Sequence, residues 1–205
     1  MHHFRQHIAA SIALILFFGG SVFAQEINID QENSRLWIEG RSNVNQFSCR
    51  AERYNSNIKP PAADTTIEVE VDIAVAGFEC GKRRMNRDLN DALMSEEHPF
   101  ISFEYTDTRS MDFSDSSDQY RLLVAGNLTV AGHTRQIEFP MEAYVQQDGT
   151  IRATGKTELR MTDYNVEPPT ALLGIVKVDD LFTVHFELFA STRDSETLRY
   201  DQPEE

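Results

Sequence analysis

The sequence predicts an antiparallel all-β domain of about eight strands with one short helix. Apolar and polar residues alternate along several segments, and alternation places successive side chains on opposite faces of a strand. Gly, Pro, Asn and Asp residues separate these segments at the spacing of an antiparallel domain. The pattern suits either a sandwich or a closed barrel, and the length of several strands favours the barrel.

The first half of the chain contains the cleanest strand pattern. Strands are predicted over Arg35–Gly40 and Phe47–Tyr54, and Pro60-Pro61 marks a break because proline lacks a donor and has a fixed φ. Thr65–Val75 follows, with glutamates and an aspartate on one face. The other face of this strand is apolar and carries Ile67, Val69, Val71, Ile73 and Val75. The segment therefore predicts a strand with one apolar face and one charged face.

A single helix is predicted after this strand. Met85, Leu89, Ala92 and Leu93 recur at helical spacing. His98-Pro99 ends the helix, because proline disfavours helical geometry at the preceding residue. The apolar stripe predicts that the helix lies across an apolar surface.

The second half is dominated by a hairpin over Tyr120–Val145, with its corner at Ala131–Thr134. A strand beginning at Ile101 precedes it, and Asp107–Gln119 is predicted as a polar loop. Two further strands are predicted over Ile151–Met161 and Phe182–Leu188. Between them, the Val166–Asp180 segment lacks alternation.

The N-terminal segment predicts export. Residues 1–24 combine a charged start, a short apolar run and small residues before Gln25, which is typical of a signal peptide cleaved after Ala24. The apolar run is shorter than the roughly 20 residues of a membrane span, so no stable membrane insertion is expected. We expect residues 25–191 to form one domain, and residues 192–205 an acidic, disordered tail.

Charge and cysteine content narrow the function classes further. A formal charge of -14 argues against nucleic-acid partners. Cys49 and Cys80 are the only cysteines. An isolated pair at this separation in an exported protein favours a structural disulfide over a redox pair, since no C-x-x-C motif is present.

Catalytic and metal-binding signatures are absent from the sequence. G-x-S-x-G, H-E-x-x-H and phosphate-binding glycine loops do not occur. His98, His133 and His185 do not have metal-ligand spacing. We therefore predict no catalytic residue, no metal site and no enzymatic activity. The apolar faces fit either a filled core or a hydrophobic tunnel, and the pattern alone favours the filled core.

Four segments in order resemble the YceI-like family over Arg35–Ser191. They are Arg87-Asp88-Leu89, HPFISFEYT (98–106), GNLTVAGHTRQIEFP (126–140) and ALLGIVKVDDLFTVHFEL (171–188). The resemblance implies an elongated, lipocalin-like barrel in the periplasm that binds an isoprenoid or other amphiphile inside, without catalytic residues. The chain departs from the family pattern in its cysteine pair and over Gly40–Phe47.

The resulting hypothesis is a periplasmic carrier whose partner is an isoprenoid-type or other amphiphilic lipid. No cofactor is predicted; a bound isoprenoid lipid or quinone would be the ligand. A barrel enzyme acting on a hydrophobic substrate and a ligand-free envelope-stress module are the alternatives, and the sequence leaves the oligomeric state open. We expect the ligand to contact Val69, Val71, Ile73, Phe103, Tyr105, Leu122, Val124, Leu128, Ile137, Phe139, Leu159, Phe182, Val184 and Phe186, with Leu172 and Leu173 as an apolar lip.

Overall fold

The computed structural model describes residues 26–59, 67–113, 119–171 and 173–193. Its strands, numbered in chain order, are β1 (Glu26–Ile29), β2 (Arg35–Arg41), β3 (Gln46–Ala51), β4 (Tyr54–Lys59), β5 (Glu68–Ala74), β6 (Phe78–Glu79), β7 (Phe100–Phe113), β8 (Gln119–Val130), β9 (His133–Val145), β10 (Ile151–Arg160), β11 (Thr170–Ala171), β12 (Val176–Lys177) and β13 (Leu181–Arg193). One α-helix, α1 (Arg83–Ala92), and short 3-10 turns at Val75–Gly77 and Met161–Tyr164 complete the described elements. The predicted all-β class with one short helix is confirmed.

The sheet closes on itself through two kinked strands. Hydrogen-bonded neighbours follow the order β4-β5-β7-β8-β9-β10-β13-β2-β3-β6. Both ends of this order continue along the chain, since β4 follows β3 and β6 follows β5. Hydrogen bonds from Glu52 N to Gly77 O, 2.9 Å, and from Ala74 N to Arg53 O, 3.0 Å, bridge the two breaks. When β3–β4 and β5–β6 are each counted as one strand, the ring has the eight strands that the sequence predicts.

The β8–β9 hairpin forms the longest uninterrupted ladder. Val130 pairs with His133, so the connecting loop is only Ala131-Gly132. Both loop residues have positive φ, 47° and 76°. Positive φ at both central positions is what a type I′ turn requires, and its twist matches that of the flanking strands. The predicted corner is therefore confirmed.

The predicted loop over Asp107–Gln119 is wrong in its bounds. β7 continues to Phe113 and pairs with β8 from Ser102 to Phe113, with register shifts between Tyr105 and Asp107 and between Ser110 and Asp112. Such shifts indicate bulges, which tolerate extra residues within a ladder while bending the strand. The polar composition misled the prediction, because residues 107–113 belong to a strand rather than to a loop.

One end of the barrel is closed by α1 and the two 3-10 turns. Leu89 and Leu93 from the helical segment pack with Tyr164, Val166 and Val130 in one buried cluster. Tyr164, Val75 and Cys49 are the largest fully buried side chains in the described part of the chain. The amphipathic stripe of α1 thus covers the end of the barrel, as its spacing predicts.

The predicted disulfide between Cys49 and Cys80 is confirmed. The bond joins β3 to the segment just before α1, across a sequence separation of 31 residues. Both cysteines are buried within the cluster at the helix end. The bond therefore fixes the broken strand β5–β6 against β3 at the closed end, and it fits an oxidising compartment.

Several sequence predictions fall outside the described residues. These are the signal peptide over residues 1–24, the Pro60-Pro61 break and Leu172. β13 ends at Arg193, within the predicted tail of 192–205. Within the described ranges, no helix is long and apolar enough to span a bilayer.

Glu187 on β13 provides a pH-dependent contribution to stability. Its side chain is 14% exposed and lies 2.6 Å from Arg152 Nη2 and 2.8 Å from Arg35 Nη2. The hydrogen bond from Arg152, aided by the charge of Arg35, holds the pKa of Glu187 below its usual range. A lowered folded-state pKa stabilises the fold above the unfolded-state pKa, and this contribution is lost as the pH falls through the folded-state value.

We expect Glu187→Gln to lower the free energy of unfolding at neutral pH by about 1 kcal/mol. The difference in free energy of unfolding between this variant and wild type should shrink as the pH falls below the ordinary glutamate pKa of 4.5. Urea unfolding followed by circular dichroism at about pH 7 and pH 3 measures both quantities. Glu158→Gln is the matched control, because this exposed carboxylate on β10 has no ion-pair partner among the described residues. A Glu187→Gln effect that persists unchanged at the lower pH would contradict the assignment.

Candidate functional site

The interior of the barrel holds an apolar cavity of about 440 Å³. It is lined by inward side chains of the long strands together with Leu89 and Leu93 at the α1 end. Aliphatic and aromatic side chains predominate, and the hydroxyl-bearing residues in the lining are Tyr54, Tyr105, Thr108, Thr157 and Tyr164. The space is therefore a hollow, dry compartment rather than a filled core.

Most of the predicted lining residues face this cavity. They are Val69, Val71, Ile73, Phe103, Tyr105, Val124, Leu128, Ile137, Phe139, Leu159, Phe182, Val184 and Phe186. Each lies on a strand whose alternation identified its inward face. That these side chains contact a ligand stays a prediction.

Leu122 and Leu173 do not line the cavity. Leu122 is half-buried and pairs with Met141, beside the register shift where β7 bulges and the sheet bends. Leu173 is fully exposed, with a relative accessibility of 106%. It sits with positive φ in the turn between β11 and β12, so its side chain points to solvent rather than forming a lip. The other half of the predicted lip, Leu172, lies outside the described residues.

The sequence reasoning missed several lining residues that alternation could have found. Ala153, Thr157 and Leu188 share the inward faces of strands whose other members were predicted. The sequence pattern did not indicate that Tyr54 and Tyr164 line the cavity. Tyr54 lies at a strand kink and Tyr164 lies in a 3-10 turn, so neither belongs to a regular alternation. The remaining unpredicted members are Ile29, Leu36, Ile38, Ile58, Ile67, Phe78, Leu89, Leu93, Ile101, Thr108, Val130, Met141, Met161, Val166 and Ala190.

Three phenylalanines make contact along the inner wall of the barrel. The Phe139 ring lies 5.6 Å from the Phe103 ring and 5.6 Å from the Phe186 ring, measured between centroids. Tilted and edge-on arrangements of this kind are the favourable geometries for aromatic pairs. The cluster joins β7, β9 and β13, and each contacting pair of strands is separated by one strand of the sheet.

Glycines allow two of these rings to lie flat against the barrel wall. The Phe103 ring covers Gly126 on the neighbouring strand, and the Phe186 ring covers Gly155, its direct partner in the ladder. A Cβ atom at either glycine would collide with the ring, and at Gly155 it would also approach Pro140 O to 2.8 Å. Because no Cβ is present, the rings stay close to the sheet and leave the centre of the lumen open.

Titratable groups in the lining are limited to tyrosines. Burial raises the pKa of Tyr164, and the negative charge of Asp163 raises it further. The hydroxyl oxygen of Tyr164 is buried with no hydrogen-bond partner among the described residues. Among the described residues that line the cavity, none is an acid, a histidine, a lysine or an arginine.

The histidines do not converge on a site. His98 packs against Gly132, and His133 Nδ1 lies 2.9 Å from Ala131 O. His185 stacks on Trp37 with ring centroids 4.9 Å apart on the outer face. Within the described ranges, no group of three or more His, Cys, Asp or Glu residues could hold a metal ion.

These features define a class of protein: an antiparallel β-barrel around an apolar cavity whose described lining is uncharged. A family model described as "YceI-like domain" matches residues 27–190. The chain therefore belongs to the YceI-like family. No curated protein matches it in sequence.

Solved structures share the fold at low sequence identity. BcnA from Burkholderia cenocepacia is 18% identical with a TM-score of 0.62, over 79% of this chain and 99% of that one. A polyisoprenoid binding domain from Saccharophagus degradans is 15% identical with a TM-score of 0.65, over 83% and 99%. The Campylobacter jejuni YCEI protein is 16% identical with a TM-score of 0.55, over 72% and 85%. At these identities the similarity establishes the fold alone.

Proposed function

We propose that this protein is a periplasmic carrier that holds the tail of an isoprenoid-type or other amphiphilic lipid inside its barrel. The observation that carries the proposal is the cavity of about 440 Å³, for which none of the described lining residues is charged. This volume lies within the range of about 300–1,000 Å³ that is usual for small-molecule sites. Burial of apolar surface, at about 25 cal/mol per Å², would supply the affinity.

The isoprenoid class is supported by the shape of the lining and by the fold. Branched aliphatic and aromatic side chains present an irregular, dry surface on which methyl-branched chains can pack. The related domain from Saccharophagus degradans is described as polyisoprenoid binding. We carry this ligand class over to the present chain as part of the proposal.

The periplasmic location is supported by two independent features. The Cys49–Cys80 disulfide fits an oxidising compartment. Residues 1–24 have the composition of a cleaved signal peptide. A carrier in this compartment would shield an apolar tail from water between membranes or enzymes.

The absence of enzymatic activity stays a prediction. General acid–base catalysis uses a titratable side chain close to the substrate. In the lining, only the tyrosines titrate, and burial shifts the pKa of Tyr164 further from neutrality. The cavity volume likewise supports a ligand-binding barrel over a ligand-free module with a filled core.

Uptake of geranylgeraniol, a simple isoprenoid alcohol, tests the proposal. We expect the labelled alcohol to co-elute with the folded protein in size-exclusion chromatography. Binding to the native state should also raise the melting temperature with ligand concentration, because only the folded barrel offers the cavity. Urea-unfolded protein is the control. Neither co-elution nor a thermal shift at saturating alcohol would overturn the proposal.

A further inference from the structure

A second, polar space lies next to the apolar cavity. This polar groove has a volume of about 510 Å³ and is lined by Gln31, Glu32, Asn33, Ser34, Arg35, Arg50, Ala51, Glu52 and Tyr54. It sits where the turn between β1 and β2 meets the kink between β3 and β4. Tyr54 lines both the groove and the apolar cavity. Among the described residues, Tyr54 is therefore the one that the apolar and the polar lining share.

The barrel wall is not sealed by a strand ladder beside this groove. Among the described residues, β1 pairs with β13 and β4 pairs with β5, and no ladder joins β1 to β4 although the two strands lie side by side. A hydrogen bond of 3.2 Å from Gln31 Nε2 to Tyr54 O crosses from the β1–β2 turn to the start of β4. Side chains can part at such a seam at lower cost than at a ladder, because few backbone hydrogen bonds need to break.

Tyr54 has an unused hydrogen-bonding group at this position. Its hydroxyl oxygen is buried and has no partner of normal hydrogen-bond geometry among the described residues. The Ser34 hydroxyl lies close enough to lower the pKa of Tyr54 slightly, but burial raises that pKa by more. A buried polar atom without a partner is unfavourable, and a ligand atom that supplied the bond would relieve the penalty.

The charges around the groove balance one another. Arg50 lies 2.5 Å from Glu52, and Arg35 lies 2.8 Å from Glu187. Both arginines are thus already paired, while Glu32 adds a negative charge to the lining. Hydrogen bonds from Asn33 also hold the pKa of Asp30, beneath the turn, below its usual range, so this carboxylate stays ionised at neutral pH. A phosphate would have to share each arginine with a carboxylate and would face these negative charges.

We propose that the polar groove binds the headgroup of the amphiphile, with Tyr54 at the junction of head and tail, and that this headgroup is uncharged. The inference rests on the proposed function, because it needs a tail in the cavity. A hydroxyl or carbonyl group can exchange hydrogen bonds with the amides, hydroxyls and ion pairs of the groove without displacing a charge. The preferred ligand class is therefore an isoprenoid alcohol or quinone rather than an isoprenoid phosphate.

Geranylgeraniol and geranylgeranyl phosphate share one tail, so comparing them tests whether a negative charge on the headgroup weakens binding. We expect wild type to bind the alcohol at least about tenfold more tightly than the phosphate in calorimetric titrations. Glu32→Gln together with Glu52→Gln should improve phosphate binding about tenfold, since two negative charges are removed and Arg50 is released. Asp88→Asn is the control, because Asp88 pairs with Arg84 on the exposed face of α1, away from the groove.

The position of the headgroup is tested by photocrosslinking with a geranylgeraniol that carries a diazirine next to its hydroxyl group. We expect peptide mapping to find the label within residues 31–35 or 50–54. Labelling confined to residues outside these two segments, or equal binding of alcohol and phosphate that the glutamate variants do not alter, would overturn the headgroup site and leave the tail cavity standing. Failure of both compounds to bind would overturn the proposed function as well.

Discussion

Replacing Ala153 by Phe should abolish most lipid binding, with an expected loss of affinity of at least about tenfold. Ala153 lies on β10, and its side chain lines the cavity. It faces the lumen two positions before Gly155, over which the Phe186 ring lies. A benzyl group at this position would occupy the lumen itself, because the wall on either side is already closed by paired strands. Geranylgeraniol titration measures the loss.

Lys156→Phe is the matched control for this substitution. Lys156 is exposed on the outer face of the same strand, so the added ring leaves the lumen unchanged. Both variants should remain folded, since aromatic residues favour strands. Equal affinity of Ala153→Phe and wild type would show that the tail does not occupy this cavity.

Removing the disulfide should cause the largest loss of stability. The bond closes a loop with a sequence separation of 31 residues. The chain-entropy relation gives a stabilisation of about 3–4 kcal/mol for such a loop, and measured losses are about 2–5 kcal/mol. We expect a Cys49→Ala, Cys80→Ala double variant to lose a comparable free energy of unfolding in urea titrations.

Chemical reduction provides an independent comparison for the disulfide prediction. Wild-type protein titrated with a reductant present should approach the stability of the double variant, because both lack the cross-link. The loss should also loosen the α1 end, where both cysteines pack with Leu89 and Val75. Under native conditions, the backbone amides at that end, and not those elsewhere, should exchange their hydrogens faster than in oxidised wild type. A double variant as stable as oxidised wild type would contradict the structural role.

Much of the architecture could be predicted because local patterns and tertiary structure agree. Alternation identifies the inward-facing residues in Thr65–Val75 and in the hairpin of residues 120–145, because one face of each strand is apolar. The same alternation identified Phe103, Phe139 and Phe186 as inward-facing. The apolar stripe of α1 predicted a helix lying on an apolar surface, and it covers the closed end of the barrel.

Other features depend on contacts that a linear pattern does not contain. Alternation cannot tell a filled interior from a hollow one, and the pattern alone favoured the filled core. The lumen stays open partly because Gly126 and Gly155 accept aromatic rings from neighbouring strands, which only the register reveals. Leu173 looked like a lining residue in an apolar run, but a positive φ in a tight turn directs it to solvent. Apolar composition in a turn is therefore weak evidence for burial.

The polar groove illustrates the same limit for the candidate site. One wall, residues 31–35, precedes and begins a predicted strand, and the other, residues 50–54, is the end of the predicted strand over Phe47–Tyr54. They meet because β1–β2 and β3–β4 both break at the same level of the barrel. Tyr54 lies beside both spaces because these two breaks coincide. No rule based on residue spacing in the sequence would have identified it.

Native mass spectrometry of the protein purified from the periplasm without added lipid tests the central claim most directly. We expect a species heavier than the mature polypeptide by the mass of one amphiphile. Collisional activation should release this amphiphile as an intact isoprenoid alcohol or quinone. The Ala153→Phe variant prepared in parallel should carry little or none of it. A wild-type protein that shows only the polypeptide mass, and that fails to acquire geranylgeraniol when it is supplied, would contradict the account.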